Sequence, residues 1–345
     1  MGKLTPRVVG NTSSVWAGID VLVLAAGFEE RAFQVLSTHR FNDRAHVILV
    51  LYDNDVPGNP ELGKRYRIAA EEKFLKSHIH RVQLHANDID NFKLKCQEVI
   101  RALPSDLGKF GIDVSGMPAH VIFALLNLIR EAQPYEDQIC FYTAAREYTP
   151  TEKEYEELKR KQGDDIEYVP KSMALEMSQL LVFEPFSGYR SGDARCCLAL
   201  FAGYELHRST GVVDEINPAV TLLMYGKPAS EKLAWRLDLS RRLHQKFEKT
   251  RRCAVEEVST RDVGECMAVL EEYYNFTVDD YDLTIAPVCS KMQTIASFLF
   301  WEKYPEVQVT FPLPIGYDPD RRPRGVESTY ALELPGRLTF PQRNG

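Results

Sequence analysis

The sequence contains no Cys-x-x-Cys pair, no His-x-x-x-His or His-Glu-x-x-His run and no Gly-x-Gly-x-x-Gly turn. These absences argue in turn against zinc ribbons and dithiol redox sites, against helical zinc hydrolase motifs, and against the dinucleotide fingerprint. No apolar run is long enough to span a bilayer. The polar start Met1-Gly2-Lys3-Leu4-Thr5-Pro6 does not read as a signal peptide, and Pro6 stands where a myristoylation signal wants Ser or Thr. Positive charge is also short: 42 Lys and Arg face 49 Asp and Glu, for a net charge of −7. A protein built mainly to coat nucleic acid would carry the opposite balance, so nucleic acid is a weakly supported partner resting on local patches. The expectation is a cytoplasmic protein without membrane association, metal or cofactor.

The seven cysteines are scattered, and Cys140, Cys196, Cys197 and Cys289 sit inside apolar segments. That usage reads as buried, reduced thiols. At 345 residues, 44% hydrophobic and 26% charged, the chain has room for two domains, each with its own core.

The two halves echo one another. Val21-Leu22-Val23-Leu24-Ala25-Ala26 runs into Gly27-Phe28-Glu29-Glu30-Arg31, and Cys197-Leu198-Ala199-Leu200-Phe201-Ala202 runs into Gly203-Tyr204-Glu205-Leu206-His207-Arg208. Later in each half a strand-like run ends in a Ser-x-Met turn, Ser115-Gly116-Met117 and Ser290-Lys291-Met292. The intervals from glycine to serine agree to within one residue. Such self-similarity predicts an internal duplication.

Periodicity predicts strands over 21–26, 47–52, 81–85, 111–114 and 138–143, with helices over 30–38, 61–77, 92–103 and 119–132. Asp90 is the expected N-cap of the third helix. In the second half, strands are expected over 196–202, 219–225, 254–258, 283–288 and 307–311, with helices over 231–247, 263–274 and 291–301. Apolar strands alternating with helices imply parallel sheets covered on both faces. The expected fold is therefore α/β, two tandem Rossmann-like three-layer units of parallel sheet flanked by helices. Boundaries are expected at 1–150 for the first unit, 151–194 for a charged helix and linker, 195–315 for the second unit and 316–345 for a tail. The helix Thr151–Gln162 is so charged that it reads as a solvated face, and Pro170, Pro185 and Ser187-Gly188-Tyr189-Arg190-Ser191-Gly192 mark loops.

Ligands of open α/β sheets bind at the carboxyl ends of the strands, where the strand order reverses. The recurring turns fall there. Gly27, Glu29 and Arg31 come from one. Ser115 and Gly116 come from another, where a hydroxyl and free helix-start N–H groups would cradle a phosphate oxygen, or Ser115 or Asp113 would simply cap the helix. Glu29 would repel a phosphate unless neutralised by Arg31. It is thus a ribose acceptor, a general base or nucleophile, or half of a surface ion pair like Glu205 with Arg208. Arg146 and Tyr148 follow the fifth strand, suited to hold a phosphate and stack on a base. In the second half, Gly203, Glu205, Ser290 and Lys291 occupy the matching places, with Lys291 the stronger phosphate grip. Two basic clusters, Arg241-Arg242 with Lys249, Arg251 and Arg252, and Arg321-Arg322 with Arg324, read as a solvated helix face and a loop beside an anionic ligand.

Tandem units with a hydroxyl-bearing turn after the fourth strand resemble the CRISPR-associated Rossmann-fold (CARF) sensors and their fused double version, SAVED. The resemblance implies a ligand lying across a pseudo-two-fold axis, touched by Gly27, Glu29, Arg31, Ser115 and Gly116 from one lobe. Gly203, Glu205, Ser290 and Lys291 would touch it from the other. It further implies a nucleotide or oligonucleotide sensor of a prokaryotic antiphage system, acting with an effector protein encoded separately. Two alternatives stand beside it: an enzyme cleaving N-glycosidic or phosphate bonds of nucleotides through Glu29, and a non-catalytic scaffold built on a degenerate duplication.

Overall fold

A computed structural model of the chain describes residues 4–10, 13–27, 29–52, 59–85, 88–163, 173–189 and 195–339. Phe28, Pro170 and residues 190–192 of the expected loops lie outside them. The chain divides into two compact units. The N-terminal unit comprises Pro6–Tyr148 with Arg322–Asn344, and the C-terminal unit comprises Met1–Thr5, Thr149–Arg321 and Gly345. The boundaries expected near 150 and 315 are thus redrawn at their ends. The linker 151–194 belongs to the C-terminal unit, and the tail beyond 321 returns to the N-terminal one.

In chain order the N-terminal unit begins with β1 (Arg7–Val8), β2 (Val21–Ala25), α1 (Gln34–Thr38), β3 (His46–Tyr52), α2 (Asn59–Lys73) and β4 (Ile79–Leu84). It continues with α3 (Ile89–Ala102), β5 (Phe110–Asp113), α4 (Ala119–Ala132) and β6 (Gln138–Thr143). The C-terminal unit follows with α5 (Glu152–Gln162), β7 (Met177–Leu181), β8 (Arg195–Ala202), α6 (Leu206–Ile216), β9 (Val220–Lys227) and α7 (Trp235–Thr250). Then come β10 (Cys253–Ser259), α8 (Val263–Thr277), β11 (Tyr281–Pro287), α9 (Lys291–Lys303), β12 (Gln308–Val309) and β13 (Phe311–Pro314). The strand β14 (Thr329–Leu334) closes the N-terminal unit.

The seven-stranded sheet runs β1-β14-β6-β5-β2-β3-β4, parallel from β6 to β4, while β14 pairs antiparallel with β6 and β1 with β14. The five-stranded sheet runs β10-β9-β8-β11-β12 and is parallel throughout. Counted along the chain, both parallel sets have the order third, second, first, fourth, fifth. A two-stranded sheet pairs β13 with β7.

Burial explains the continuous apolar runs. Every residue of β2 is buried, as is every residue of α4 from His120 to Arg130, so these elements have no solvent face to colour polar. The core of the N-terminal unit packs Leu22, Leu24, Val47 and Leu49 against Tyr66, Phe74 and Phe141, and Trp16 is stacked between His39 and Phe141 at 3.7 and 4.3 Å. The C-terminal core packs Leu198, Leu200 and Leu223 against Val212, Val213 and Phe247.

Several expectations need correction. The N-cap of α3 is Asp88, whose carboxylate accepts from Asn91 N at 3.2 Å; Asp90 lies in the first turn. The strand expected over 307–311 is broken between two sheets, because Thr310 N bonds to Ile285 O while Phe311 pairs with Leu181. The charged helix α5 is not solvated all round: Tyr155 and Leu158 are buried against Leu239 and Leu243, beside Trp235. Helix α6 and strands β7 and β14 were not foreseen.

Three imidazoles stack at the amino edge of the N-terminal sheet. His46 lies 4.0 Å from His78 and 5.3 Å from His80, ring to ring, and its Nδ1 is 3.0 Å from His80 Nε2. Burial, reinforced by the two neighbouring histidines, lowers the His46 pKa from 6.5 to about 4. A base with a lowered folded pKa contributes stability that is present above pH 6.5 and lost as the pH falls toward 4. Denaturant titrations should therefore show a smaller loss of stability between pH 7 and pH 4.5 in His46→Asn than in the parent. Equal losses would refute this assignment.

Candidate ligand-binding edge

The strand order reverses between β2 and β5 in one unit and between β8 and β11 in the other. In the N-terminal unit, β2 leads into Gly27 and β5 into a 3-10 turn over Val114–Gly116. The two backbones touch. A Cβ on Gly27 would lie 3.1 Å from Gly116 O, and one on Gly116 would lie 2.9 Å from Ala32 Cβ and 3.1 Å from Ala25 O. Glycine at 116 is a packing requirement, and at 27 a Cβ would press on the Gly116 backbone. The Tyr52 hydroxyl donates to Gly116 O at 2.9 Å and pins the turn.

Glu29 and Arg31 are not a surface pair. Their side chains are 9% and 5% exposed, and Arg31 Nε donates to Glu29 Oε2 at 2.6 Å. Arg31 Nη1 also donates to Thr143 O at 3.0 Å, and the guanidinium lies over the rings of Tyr142 and Tyr148. Burial opposes the Arg31 charge, yet Glu29 and the two tyrosines outweigh it and raise its pKa above the ordinary value.

Ser115 is fully buried. Its hydroxyl donates to Asp113 Oδ1 at 2.6 Å and accepts from Thr143 N at 2.8 Å. Thr143, at the end of β6, is thus held through its N–H by Ser115 and through its carbonyl by Arg31. Asp113 Oδ1 also accepts from Ser115 N at 3.0 Å, whereas Oδ2 is buried without a partner. Burial pushes the Asp113 pKa up to about 7, against the pull of the Ser115 hydrogen bonds and of Arg31. The Tyr66 hydroxyl is likewise buried and unpartnered, and burial raises its pKa, reinforced by nearby Asp113, Tyr52 and Glu29.

The C-terminal unit repeats part of this plan. Gly203 precedes Glu205, which is bound to Arg208 at 2.8 Å, and Arg208 Nη2 donates to Pro312 O at 3.0 Å, just past the fifth strand of its sheet. Its other oxygen is spoken for as well, since Glu205 Oε1 accepts from Ala174 N at 3.0 Å. Ser290 caps α9 in a capping box. Its hydroxyl accepts from Gln293 N at 3.2 Å and donates to Thr260 O at 2.8 Å, while Gln293 Oε1 accepts from Ser290 N at 3.0 Å. Lys291 is half-buried in the first turn of α9.

Helix α4 differs. Its N-cap is Pro118, which offers no side-chain hydrogen bond, and Gly116, Pro118 and Ala119 all retain solvent exposure. Pro118 O accepts from Val121 N and Ile122 N, both at 3.1 Å, and the start carries the positive end of the helix dipole.

The structure therefore gathers Gly27, Glu29, Arg31, Ser115 and Gly116 at one edge, but turns Glu29, Arg31 and Ser115 inward. Arg146 is exposed and donates to Val326 O at 3.3 Å, against the loop containing Gly325. Sequence reasoning gave Asp113 only a capping role and did not single out Thr143, Pro118 or the Tyr66 hydroxyl. Tyr66 sits at helical spacing among core residues and carries no signal of its own.

Among the described residues, two hollows lie elsewhere. One of about 460 Å³ is lined by the carboxyl ends of α3 and α4 with Phe110, and one of about 600 Å³ by Tyr225, Val255 and the polar side of α7. Among the described residues, no group of three or more His, Cys, Asp or Glu could hold a metal ion, and no helix is long and apolar enough to cross a membrane.

No protein-family model matches the chain, and no curated protein does. Among solved structures it is similar to a type III CRISPR defence DNA nuclease activated by cyclic oligoadenylate, with TM-score 0.44 and 7% identity over 81% of this chain. The chain spans 63% of the length of that nuclease. It is also similar to an arsenic(III) S-adenosylmethionine methyltransferase from Chlamydomonas reinhardtii, with TM-score 0.23 and 14% identity over 52% of this chain and 60% of the other. A third is the NADP-bound N-domain of a bacterial malonyl-CoA reductase, with TM-score 0.22 and 10% identity over 83% of this chain and 80% of the other. Likenesses this loose carry no conclusion about fold or function.

Glu29→Gln leaves the Arg31 charge buried and uncompensated, and should cost about 3–5 kcal/mol in chemical denaturation. The double change Glu29→Leu/Arg31→Met should cost less than Glu29→Gln alone. If Glu29→Gln is neutral, the pair is not structural. Asp113→Asn tests the buried carboxyl separately. A carboxyl whose folded pKa is raised destabilises the fold fully above pH 7 and progressively less as the pH falls toward 3.8. The variant should therefore be more stable than the parent at pH 8, with the advantage fading toward pH 4.

Proposed function

We propose that the protein is a Rossmann-like, CARF-type sensor that binds a nucleotide or oligonucleotide-like anion, and that the N-terminal unit carries the binding edge. The observation that carries this reading is the contrast between two matching helix starts. Helix α9 is closed by the Ser290–Gln293 capping box, whereas α4 begins at Pro118, whose side chain supplies no cap, beside the half-buried Gly116. A helix start at the switch point of a parallel sheet is suited to a phosphate. The shared strand order and the two Glu–Arg pairs, each reaching a carbonyl at or beyond the fifth strand, support an internal duplication in which the two edges diverged.

A sensing role in prokaryotic antiphage defence, with output through a separately encoded effector, is the biological form of this proposal. The enzyme reading has less support. A general base or nucleophile needs a carboxylate directed at substrate, and Glu29 is buried against Arg31.

Pro118→Asp tests the site directly. It adds a favourable N-cap to α4, worth roughly 0.5–2 kcal/mol, while placing a negative charge where the anion would sit. Calorimetric titration with ATP, linear oligoadenylate and cyclic oligoadenylate should show binding by the parent and at least a tenfold loss in the variant, whose melting temperature is unchanged or raised. Equal affinities in the two proteins would remove the α4 edge as the site.

A further inference from the structure

Strand β10 is an edge of the five-stranded sheet: it pairs with β9 on one side, and among the described residues no strand pairs with its other side. The ladder fixes which of its backbone groups face outward. Thr221 N donates to Arg252 O at 2.9 Å and Thr260 N to Lys227 O at 3.0 Å, and alternate residues of a strand bond to the same neighbour. Ala254, Glu256 and Val258 therefore bond toward β9, whereas Cys253, Val255 and Glu257 turn their N–H and C=O groups away from the sheet. Ser259 closes this edge at one end, because its N–H donates to Glu265 Oε1 at 3.0 Å and its carbonyl accepts from Gln293 Nε2 at 3.2 Å. Arg251 closes the other end with its N–H, which donates to Phe247 O at 3.1 Å. Between these stops the strand is open. Ala254, Val255 and Glu256 are exposed, Val255 at 38%. An open edge with an exposed β-branched residue is a template for another strand.

Charge selects which strand that is. Arg251-Arg252-Cys253-Ala254-Val255-Glu256-Glu257 is basic at its start and acidic at its end, with Ala254 at its centre. Charges along an edge ordinarily keep strands apart, and a copy laid in parallel would set like charge on like. A copy laid antiparallel about Ala254 does the opposite. Arg251 then lies opposite Glu257, Arg252 opposite Glu256, Cys253 opposite Val255, and Ala254 opposite its own counterpart. The same register satisfies the backbone. Cys253 and Val255, both outward-facing, exchange their N–H and C=O groups, and the N–H of Glu257 meets the carbonyl of Arg251. Arg252 and Glu256 are exposed, and among the described residues neither side chain has an ion pair or hydrogen bond. Arg251 holds Asp214 at 2.8 Å and Glu257 holds Arg241, so the outer pairs would extend existing ones. We propose that β10 is a self-association edge, through which two copies of the chain pair antiparallel about a two-fold axis at Ala254 and join their five-stranded sheets into one. The surface belongs to the C-terminal unit and does not depend on the anion edge proposed above.

Sedimentation of the full chain across the micromolar range tests this, and the parent should behave as a reversible mixture of monomer and dimer. Arg252→Glu and Glu256→Arg each set like charges opposite one another on both sides of the axis. Neither removes an ion pair or hydrogen bond within the protomer. Each should dimerise about tenfold more weakly than the parent, with an unchanged melting temperature. Mixing the two variants restores opposite charges at both places, and a heterodimer of parental affinity is expected. Ala254→Cys reads the register. Its thiol would face the same thiol of the second copy across a non-hydrogen-bonded pair, so mild oxidation should link residue 254 to residue 254, as peptide mass spectrometry would show. A parent that stays monomeric throughout, a dimer that both charge reversals leave intact, or variants that do not recover on mixing would overturn the proposal. An Ala254→Cys dimer cross-linked only through other cysteines would overturn the axis at Ala254, and the proposal with it.

Discussion

A carboxylate and a guanidinium buried together must be satisfied completely, and that requirement organises the carboxyl edge of the N-terminal sheet. Glu29 neutralises Arg31, and Arg31 spends a further donor on the carbonyl of Thr143. The N–H of the same Thr143 is taken by Ser115, which is itself fixed by Asp113. One strand-end residue thereby joins the turns after β2 and β5. Thr143 Oγ1 also meets Thr329 Oγ1 at 3.0 Å, which ties the returning strand β14 to the same point. With these contacts made, Gly27 and Gly116 lie close together, and a Cβ on Gly116 would come within 2.9 Å of Ala32 Cβ.

The C-terminal unit solves the same problem with a different spacing. Arg31 follows Glu29 by two residues within a 3-10 turn, whereas Arg208 follows Glu205 by three, over the first turn of α6. Both arginines end on a backbone carbonyl at or just beyond the fifth parallel strand. The units part company at the next position. Glu205 also receives the N–H of Ala174, so a neighbouring segment of the C-terminal unit lies against its edge, and the capping box of α9 uses the serine that a ligand would need. In the N-terminal unit the equivalent serine is buried one turn earlier, and a proline heads the helix. Lys291 made the second turn look like the stronger grip in sequence, but its serine is used in the capping box of α9.

Legibility followed the range of the interactions. Strand β2 and helix α4 were readable because their neighbours bury them whole, and total burial leaves a mark in every residue. Helix α6 was missed because its sequence, Leu-His-Arg-Ser-Thr-Gly-Val-Val-Asp-Glu-Ile, mixes polar and β-branched residues and carries a glycine, and its helicity is fixed by packing on β7 and β8. Strand β14 lies 186 residues beyond its pairing partner at Thr143 in the register Thr329–Thr143, and no local pattern announces such pairing. The cap of α3 moved by two residues because Asp88 and Asp90 are equivalent in sequence, and only the backbone at Asp88 has the non-helical geometry a cap requires.

By itself the sequence determined the alternation of strands and helices, the parallel sheets it implies and the recurrence of the Gly-x-Glu and Ser-x-Met turns. These follow from burial and turn chemistry, which act between near neighbours. Only the tertiary structure decided what the turn residues face. Glu29, Arg31 and Ser115 read as ligand groups because polar residues at a strand end have two places to satisfy their hydrogen bonds, the solvent-filled crevice or the protein interior. The approach of Thr143, more than a hundred residues from Arg31, supplied the interior partners, and with them the choice.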